Sequence, residues 1–361
     1  MTSSPQADTP RRGGGLWGVI KGFSTNESHP MSRRTLVALL IAVALVCAVA
    51  ASLAIGAAQI PLRTVWEALT SYDATNPEHI AVVEKRIPRT VVGVVVGAAL
   101  GLAGTVAQGV TRNPLADLGI LGINQGAALG VVSGIILVGA TAPAQYMWFG
   151  VVGAGAATIL VWFLASRGRE GATPVKLALA GAAIAASFSS VVSGILISDD
   201  QALDSMRFWQ VGSLAGRGYD VLFPALPLFV VGGVLALALG RSLNLLALGD
   251  DTAHGLGLNT GRARVLSGVV IAVLGGAATA VAGPIAFLGL VVPHAVRVFV
   301  GPDYRWILAF SAPVAAVVIL VSDVLARVVA RPGELQVGIV LAVIGAPVFI
   351  AIIRRGKAAT L

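Results

Sequence analysis

The stretch that decides the reading of this chain runs from residue 86 to residue 126. It holds Arg86-Ile87-Pro88-Arg89, an apolar run of small residues, Gln108, Arg112-Asn113-Pro114-Leu115-Ala116 and Leu121-Gly122. The apolar part has the length that a bilayer core demands of a helix, about 20 residues. Arginines flank a proline at one end, and a polar break marked by proline and glycine follows the other. A helix that faced only lipid would need neither, so this span faces a partner or a pathway.

The rest of the chain fits a membrane setting. Of its 361 residues 56% are hydrophobic and 12% are charged, and the mean hydropathy is +0.87. A soluble domain of this size has too little interior to hide so much apolar surface. Ten apolar runs are legible, at about 35–57, 90–110, 118–138, 146–166, 175–197, 219–240, 265–283, 285–300, 307–330 and 338–353. The expected class is an all-α integral membrane protein with ten transmembrane helices. Forty-four glycines fit helices whose backbones approach closely.

Charge sets the expected orientation. With the N-terminus inside, the inner segments and adjoining span ends hold 17 of the 25 Lys and Arg residues and 7 of the 17 Asp and Glu. The outer ones hold 8 and 10. Basic residues concentrate on the cytoplasmic side of a plasma-membrane protein, so both termini are expected in the cytoplasm. The same rule accounts for the pI of about 10.4 without nucleic acid. Residues 1–34 read as a disordered basic tail, residues 35–355 as the membrane domain, and 356–361 as a short cytoplasmic end.

Several chemistries are excluded. Cys47 is the single cysteine and the four histidines are scattered, so no metal site is expected. The chain lacks a phosphate-binding Gly-x-x-x-x-Gly-Lys-[Ser/Thr] loop, a Gly-x-Ser-x-Gly elbow and a His-Glu-x-x-His pair. No catalytic residue is expected, and any ATP-driven step falls to another subunit.

An internal repeat is visible. Arg89-x-x-x-Gly93 is echoed by Arg264-x-x-x-Gly268, and Pro114-Leu-Ala-Asp-Leu-Gly119 by Pro284-Ile-Ala-Phe-Leu-Gly289. The copies start five spans apart and so run in opposite senses across the bilayer, an arrangement common in transporters.

Three places carry candidate functional residues. At the outer mouth, Arg86 and Arg89 are suited to bidentate pairing with the carboxylates of a docking protein. They are equally suited to reaching lipid headgroups. Arg327 lies near the outer end of span nine, four residues after Asp323, with which it can pair on one helix face. On the inner side, the loop 241–264 reads as two short helical pieces broken at Gly255 and Gly257. Asp250 and Asp251 suit a helix start, and Leu246, Leu248, Ala253, Leu256 and Leu258 offer apolar anchors for another protein. Within the membrane, Thr105, Gln108, Asn124, Gln125 and Ser193 are candidates to line a pathway. No series of carboxylates or histidines serves proton coupling, which weighs against an ion-gradient-driven secondary carrier.

Together these blocks resemble the FecCD family of ATP-binding-cassette (ABC) importer permeases, which carry iron–siderophore complexes, haem or vitamin B12. The likeness continues through Trp209-Gln-Val-Gly-Ser-Leu214, Gly249-Asp-Asp-Thr-Ala-His-Gly-Leu-Gly257 and Gly283-Pro-Ile-Ala-Phe-Leu-Gly289. It runs on through Ser322-Asp-Val-Leu-Ala-Arg327, Gly333-Glu-Leu-Gln-Val-Gly338 and Gly345-Ala-Pro-Val-Phe349. Gln336 stands where the family commonly has proline.

The resemblance implies a BtuC-like type II importer fold with an inverted repeat, and a permease dimer, homomeric or heteromeric, with the pathway between subunits. It implies two ATP-binding subunits, which use ATP and Mg, and an extracytoplasmic substrate-binding protein. Arg86, Arg89 and Arg327 would then meet that protein's glutamates. Gly249, Asp250, Asp251, Thr252, Ala253, Gly255, Leu256 and Gly257 would form the segment that couples to the ATPase. Ferric siderophore is the expected cargo, with vitamin B12 and haem as alternatives.

Overall fold

The computed structural model describes residues 30–140, 142–167 and 173–358. Among the described residues it is helical, with no strand. The elements are α1 (Pro30–Ala54), α2 (Leu62–Thr70), α3 (Pro77–Ile80), α4 (Ile87–Thr111), α5 (Ile123–Val138), α6 (Pro143–Ala165), α7 (Pro174–Ser198) and α8 (Asp200–Trp209). They continue with α9 (Tyr219–Ala238), α10 (Gly240–Ala247), α11 (Asp250–Gly255), α12 (Thr260–Ala282), α13 (Leu288–Val300), α14 (Tyr304–Val329) and α15 (Val337–Ala358).

Local chemistry sets many of these boundaries. Asn76, Thr173, Asn259 and Asp303 cap α3, α7, α12 and α14 by accepting a backbone N–H with the side chain. Prolines open α3, α6 and α7, where a missing N–H costs nothing.

Each of the ten apolar runs falls on a helix. Seven of those helices are long and apolar enough to cross a bilayer, and α5, α13 and the apolar part of α15 are shorter. The chain is a multi-pass membrane protein. Two boundaries differ from the sequence reading. Residues 30–34 belong to α1 rather than to the tail, since nothing in Met31-Ser32-Arg33-Arg34 breaks a helix, and α15 runs on to Ala358. The rest of the proposed tail, 1–29, and residues 359–361 lie outside the described residues.

Helix α4 is the centre of the bundle, packed by α14, α12, α13 and α9. The most apolar window of Pro77–Thr111 is 78% buried, against 11% for that of α1. The quoted stretch therefore faces protein, as its composition implies. Small residues allow the approach: a methyl group placed on Gly101 would lie 2.5 Å from the Ser311 carbonyl of α14, and one on Gly104 would collide with the backbone of Gly289 in α13.

The two stretches that echo each other in sequence resemble each other in outline: a long buried helix, α4 or α12, meets a break, which after α4 includes a 3-10 turn at Leu118–Leu121, and then a shorter helix, α5 or α13. Their contacts are reciprocal. Gln108 of α4 donates to the Leu290 carbonyl of α13 at 2.9 Å, and Thr279 of α12 donates to Asn124 of α5 at 3.2 Å.

Candidate docking cavity and coupling segment

The two ends of α4 carry the two sites. Arg86 and Arg112 bracket its 25 residues, about 39 Å apart at ~1.5 Å per residue.

At the Arg86 end lies a cavity of about 630 Å³. Pro88 stands near the start of α4 as its sequence predicts, but the helix does not begin there. The segment Ala81–Arg86 is a π-helical stretch that joins α3 to α4. Pro88 cannot donate to the preceding turn, and a local π stretch absorbs that loss. Arg86, Arg89 and Arg327 all line the cavity, so residues 241 positions apart in sequence meet in one place.

Their partners differ. Arg86 is buried, and its guanidinium donates to the carbonyls of Leu53, Ala54 and Ala58 at 2.8–2.9 Å. It thus caps the C-terminus of α1, where a cation also suits the helix dipole. Arg327 is 2% exposed. It donates to the Ser52 carbonyl at 3.0 Å and to the Ser52 hydroxyl at 2.9 Å, and pairs with Asp323 at 3.0 Å. Asp323, 1% exposed, is shared with Arg89, whose Nε and Nη2 reach its two oxygens. The remaining Arg89 nitrogen, Nη1, donates to Glu334 at 2.6 Å.

The outer arginines are therefore bonded within the chain and are not free forks held toward solvent. Buried charge needs donors and acceptors close by, and the chain supplies them to Arg86 and Arg327 from α1. Arg89 is the member of the three whose partner, Glu334, is itself part-exposed, at 31%.

At the Arg112 end, residues 241–264 fold as α10, α11 and the first turn of α12; the breaks fall at Gly249 (φ 102°) and Gly257 (φ 84°), where glycine takes a positive φ, and not at Gly255, which ends α11. Asp250 and Asp251 occupy the first turn of α11 as expected. Asp250 pairs with Arg264 of α12 at 2.7 Å and with Arg112 at the end of α4. One carboxylate thus ties the short helix to two long ones. Asp251, Thr252, Gly255, Leu256 and Gly257 are exposed, and Gly249 is half-buried. The apolar anchors divide: Leu248 and Leu256, each 59% exposed, point outward, whereas Leu246 and Ala253 are buried. Helix α10 lies on α4 and α14, so its inner leucines are consumed by the chain's own packing and offer nothing to a second protein.

The pathway candidates are not gathered. Thr105 is fully buried and donates to the Gly101 carbonyl one turn back, a helix-packing bond. Gln108 is 1% exposed and faces the start of α13. Close packing of α4 against α13 removes both from any open surface of this chain. Asn124 and Gln125 are half-buried at the start of α5. Ser193 is exposed on α7, on a helix whose Ser187 and Ser190 are also exposed.

The FecCD transport family model matches residues 40–355. The chain belongs to that family. It is 42% identical over 312 residues to the "Probable siderophore transport system permease protein YfiZ" of Bacillus subtilis, covering 86% of this chain and 93% of that one. It is 42% identical over 311 residues to the ferric enterobactin transport system permease protein FepD of Escherichia coli, covering 86% and 92%. The solved structure of an inward-facing metal-chelate type ABC transporter superposes with a TM-score of 0.77 at 26% identity, covering 89% of this chain and 99% of that one.

Three groups in this FecCD-family chain escape a reading by sequence. Glu334 and Arg217 line the cavity, and Arg264 closes the Asp250 clamp. Glu334 sits inside a quoted block without a visible role. Arg217 is an arginine between two glycines in a loop, which is the one signal that could have flagged it.

Proposed function

We propose that the chain is the membrane subunit of an ABC importer for ferric siderophores. It would lie in the cytoplasmic membrane with both termini inside, and its ten helices would form an inverted repeat. The observation that carries the reading is the division of labour along α4, inside a bundle of FecCD type. One end holds a cavity rich in arginine, and the other an exposed short helix clamped by one carboxylate. The reciprocal α4–α13 and α12–α5 contacts support the inverted repeat.

In this reading a binding protein delivers cargo at the cavity, and its carboxylates dock at Arg86, Arg89 and Arg327. Arg89 is the most available, because an incoming carboxylate can replace Glu334. Two ATP-binding subunits, using ATP and Mg, press on Gly249–Gly257, where Leu248 and Leu256 offer the apolar contact. Asp250 passes the push to α4 and α12. A second permease subunit completes the pathway, and the exposed serines of α7, Ser193 among them, face it. Relatives named for siderophore, enterobactin and ferric citrate transport favour iron chelates as cargo over haem or cobalamin. Uptake into vesicles carrying the full importer decides the cargo. A labelled ferric siderophore should enter and resist competition by haem and cobalamin. Uptake of cobalamin or haem with exclusion of the siderophore would overturn the choice.

A further inference from the structure

Two arginines of the cavity have no carboxylate partner among the described residues, Arg86 and Arg217; three carbonyls satisfy Arg86, whereas Arg217 keeps an unpartnered nitrogen. Arg217 lies on the loop between α8 and α9, and that loop is fixed. Ser213 donates its N–H to the Ala282 carbonyl at 2.7 Å, Gly338 donates to the Gly212 carbonyl at 3.1 Å, and Leu214 is fully buried. Gly212 and Gly216 adopt left-handed conformations (φ 76° and 68°) that turn the chain so tightly. The Arg217 side chain is therefore held in place before any ligand arrives.

Arg217 is 9% exposed. Its Nη1 donates to the Tyr146 hydroxyl at 3.1 Å, and its Nε is buried with no hydrogen-bond partner. No carboxylate among the described residues pairs with it. The contrast with its neighbours is sharp: Arg86 has three carbonyls, Arg89 two carboxylates, and Arg327 one carboxylate and Ser52. A buried guanidinium without a counter-ion is costly, and a buried donor left without a partner calls for an explanation. The lining as a whole carries five basic residues against three acidic ones, so the missing group is an anion.

We infer that Arg217 is a fourth docking residue, and that its partner is a carboxylate side chain of the protein that docks on this face. The inference rests on reading the cavity as the docking site. Arg217 lines the same cavity as Arg89 and Glu334, so an acidic side chain of a docked protein that enters the cavity meets Arg217 beside Arg89. The guanidinium then donates a charge-assisted hydrogen bond to it.

The test uses the full chain in lipid nanodiscs with hexaglutamate peptide as probe. Binding is read by titration and by the peptide-dependent rise in melting temperature of each variant over its own baseline. That second readout separates a lost contact from a merely weakened fold. The wild-type chain should bind, and binding should fall with salt. Arg217→Gln should weaken it at least tenfold, Arg217→Lys should restore part of it, and Tyr146→Phe should leave it within threefold. Wild-type affinity in Arg217→Gln, with weakened binding in Arg89→Gln, overturns the role of Arg217 and leaves the docking site standing. Absence of peptide binding to the wild-type chain overturns the docking site itself. Binding of free citrate with exclusion of the peptide overturns the protein partner, because the cavity then admits only a small anion.

Discussion

The two ends of α4 both rest on arginine–carboxylate pairs, but they are built in opposite ways. At the cavity end the central carboxylate, Asp323, is 1% exposed and serves two arginines that are themselves 2% and 11% exposed on their side chains. At the other end Asp250 is 45% exposed and its partners Arg112 and Arg264 are 32% and 14% exposed. Buried pairs are expensive to break because the survivor cannot be hydrated, whereas pairs whose carboxylate is half open to solvent, as Asp250 is, are worth less. In the proposed function the cavity end would thus serve as a rigid platform for a docked protein, and the Asp250 end as a joint that shifts under load without unfolding the bundle.

The comparison breaks most directly at Asp323. Asp323→Ala leaves Arg327 buried without its carboxylate and should cost about 3–5 kcal/mol of stability. Thermal unfolding in nanodiscs measures it, and a loss under ~1 kcal/mol would mean that charge does not organise this end. A smaller effect is expected from Gly104→Val, whose side chain has no room against the Gly289 backbone. Overpacking of this kind costs about 1–3 kcal/mol, read in the same assay. Stability as high as wild type would show that α4 and α13 can separate freely.

Asp250→Ala should shift stability by less than ~1 kcal/mol yet lower ATP-driven uptake at least tenfold. Retained uptake would dismiss the clamp as a transmission element. The smallest effect is expected near the joint, at Asp303. Hydrogen bonds from Arg305 first, and from Asn244, hold its carboxyl down to about 2, below the usual 3.8. A carboxyl depressed by folding stabilises above its unfolded pKa, and that contribution fades as pH falls from about 4 to about 2. The melting-temperature gap between wild type and Asp303→Asn should therefore close over that interval. A constant gap would place the stabilisation elsewhere.

Much of this was legible in the sequence, for definite reasons. Helix positions follow from apolar length, and the protein-facing character of α4 follows from the arginines and proline at one end and the polar break at the other, which a lipid-facing helix does not need. The Asp323–Arg327 pair is visible because four residues make one helical turn. The convergence of Arg86, Arg89 and Arg327 came from the likeness to FecCD permeases and not from spacing. What stayed hidden depends on contacts between distant segments. No local pattern indicates that Arg86 reaches the carbonyls ending α1, that Asp250 meets Arg112, or that Leu246 and Ala253 turn inward. Thr105 and Gln108 were read as pathway residues because polar groups in a span invite function; that they bond to Gly101 and Leu290 depends on how the helices pack, which no local pattern gives.

The most direct test of the whole account is solute accumulation by the purified chain in sealed vesicles, measured alone and again with its ATP-binding subunits and substrate-binding protein. The account predicts no accumulation of ferric siderophore by the chain alone under any ion gradient, and ATP-dependent accumulation by the complete assembly. Uphill uptake by the chain alone would contradict it.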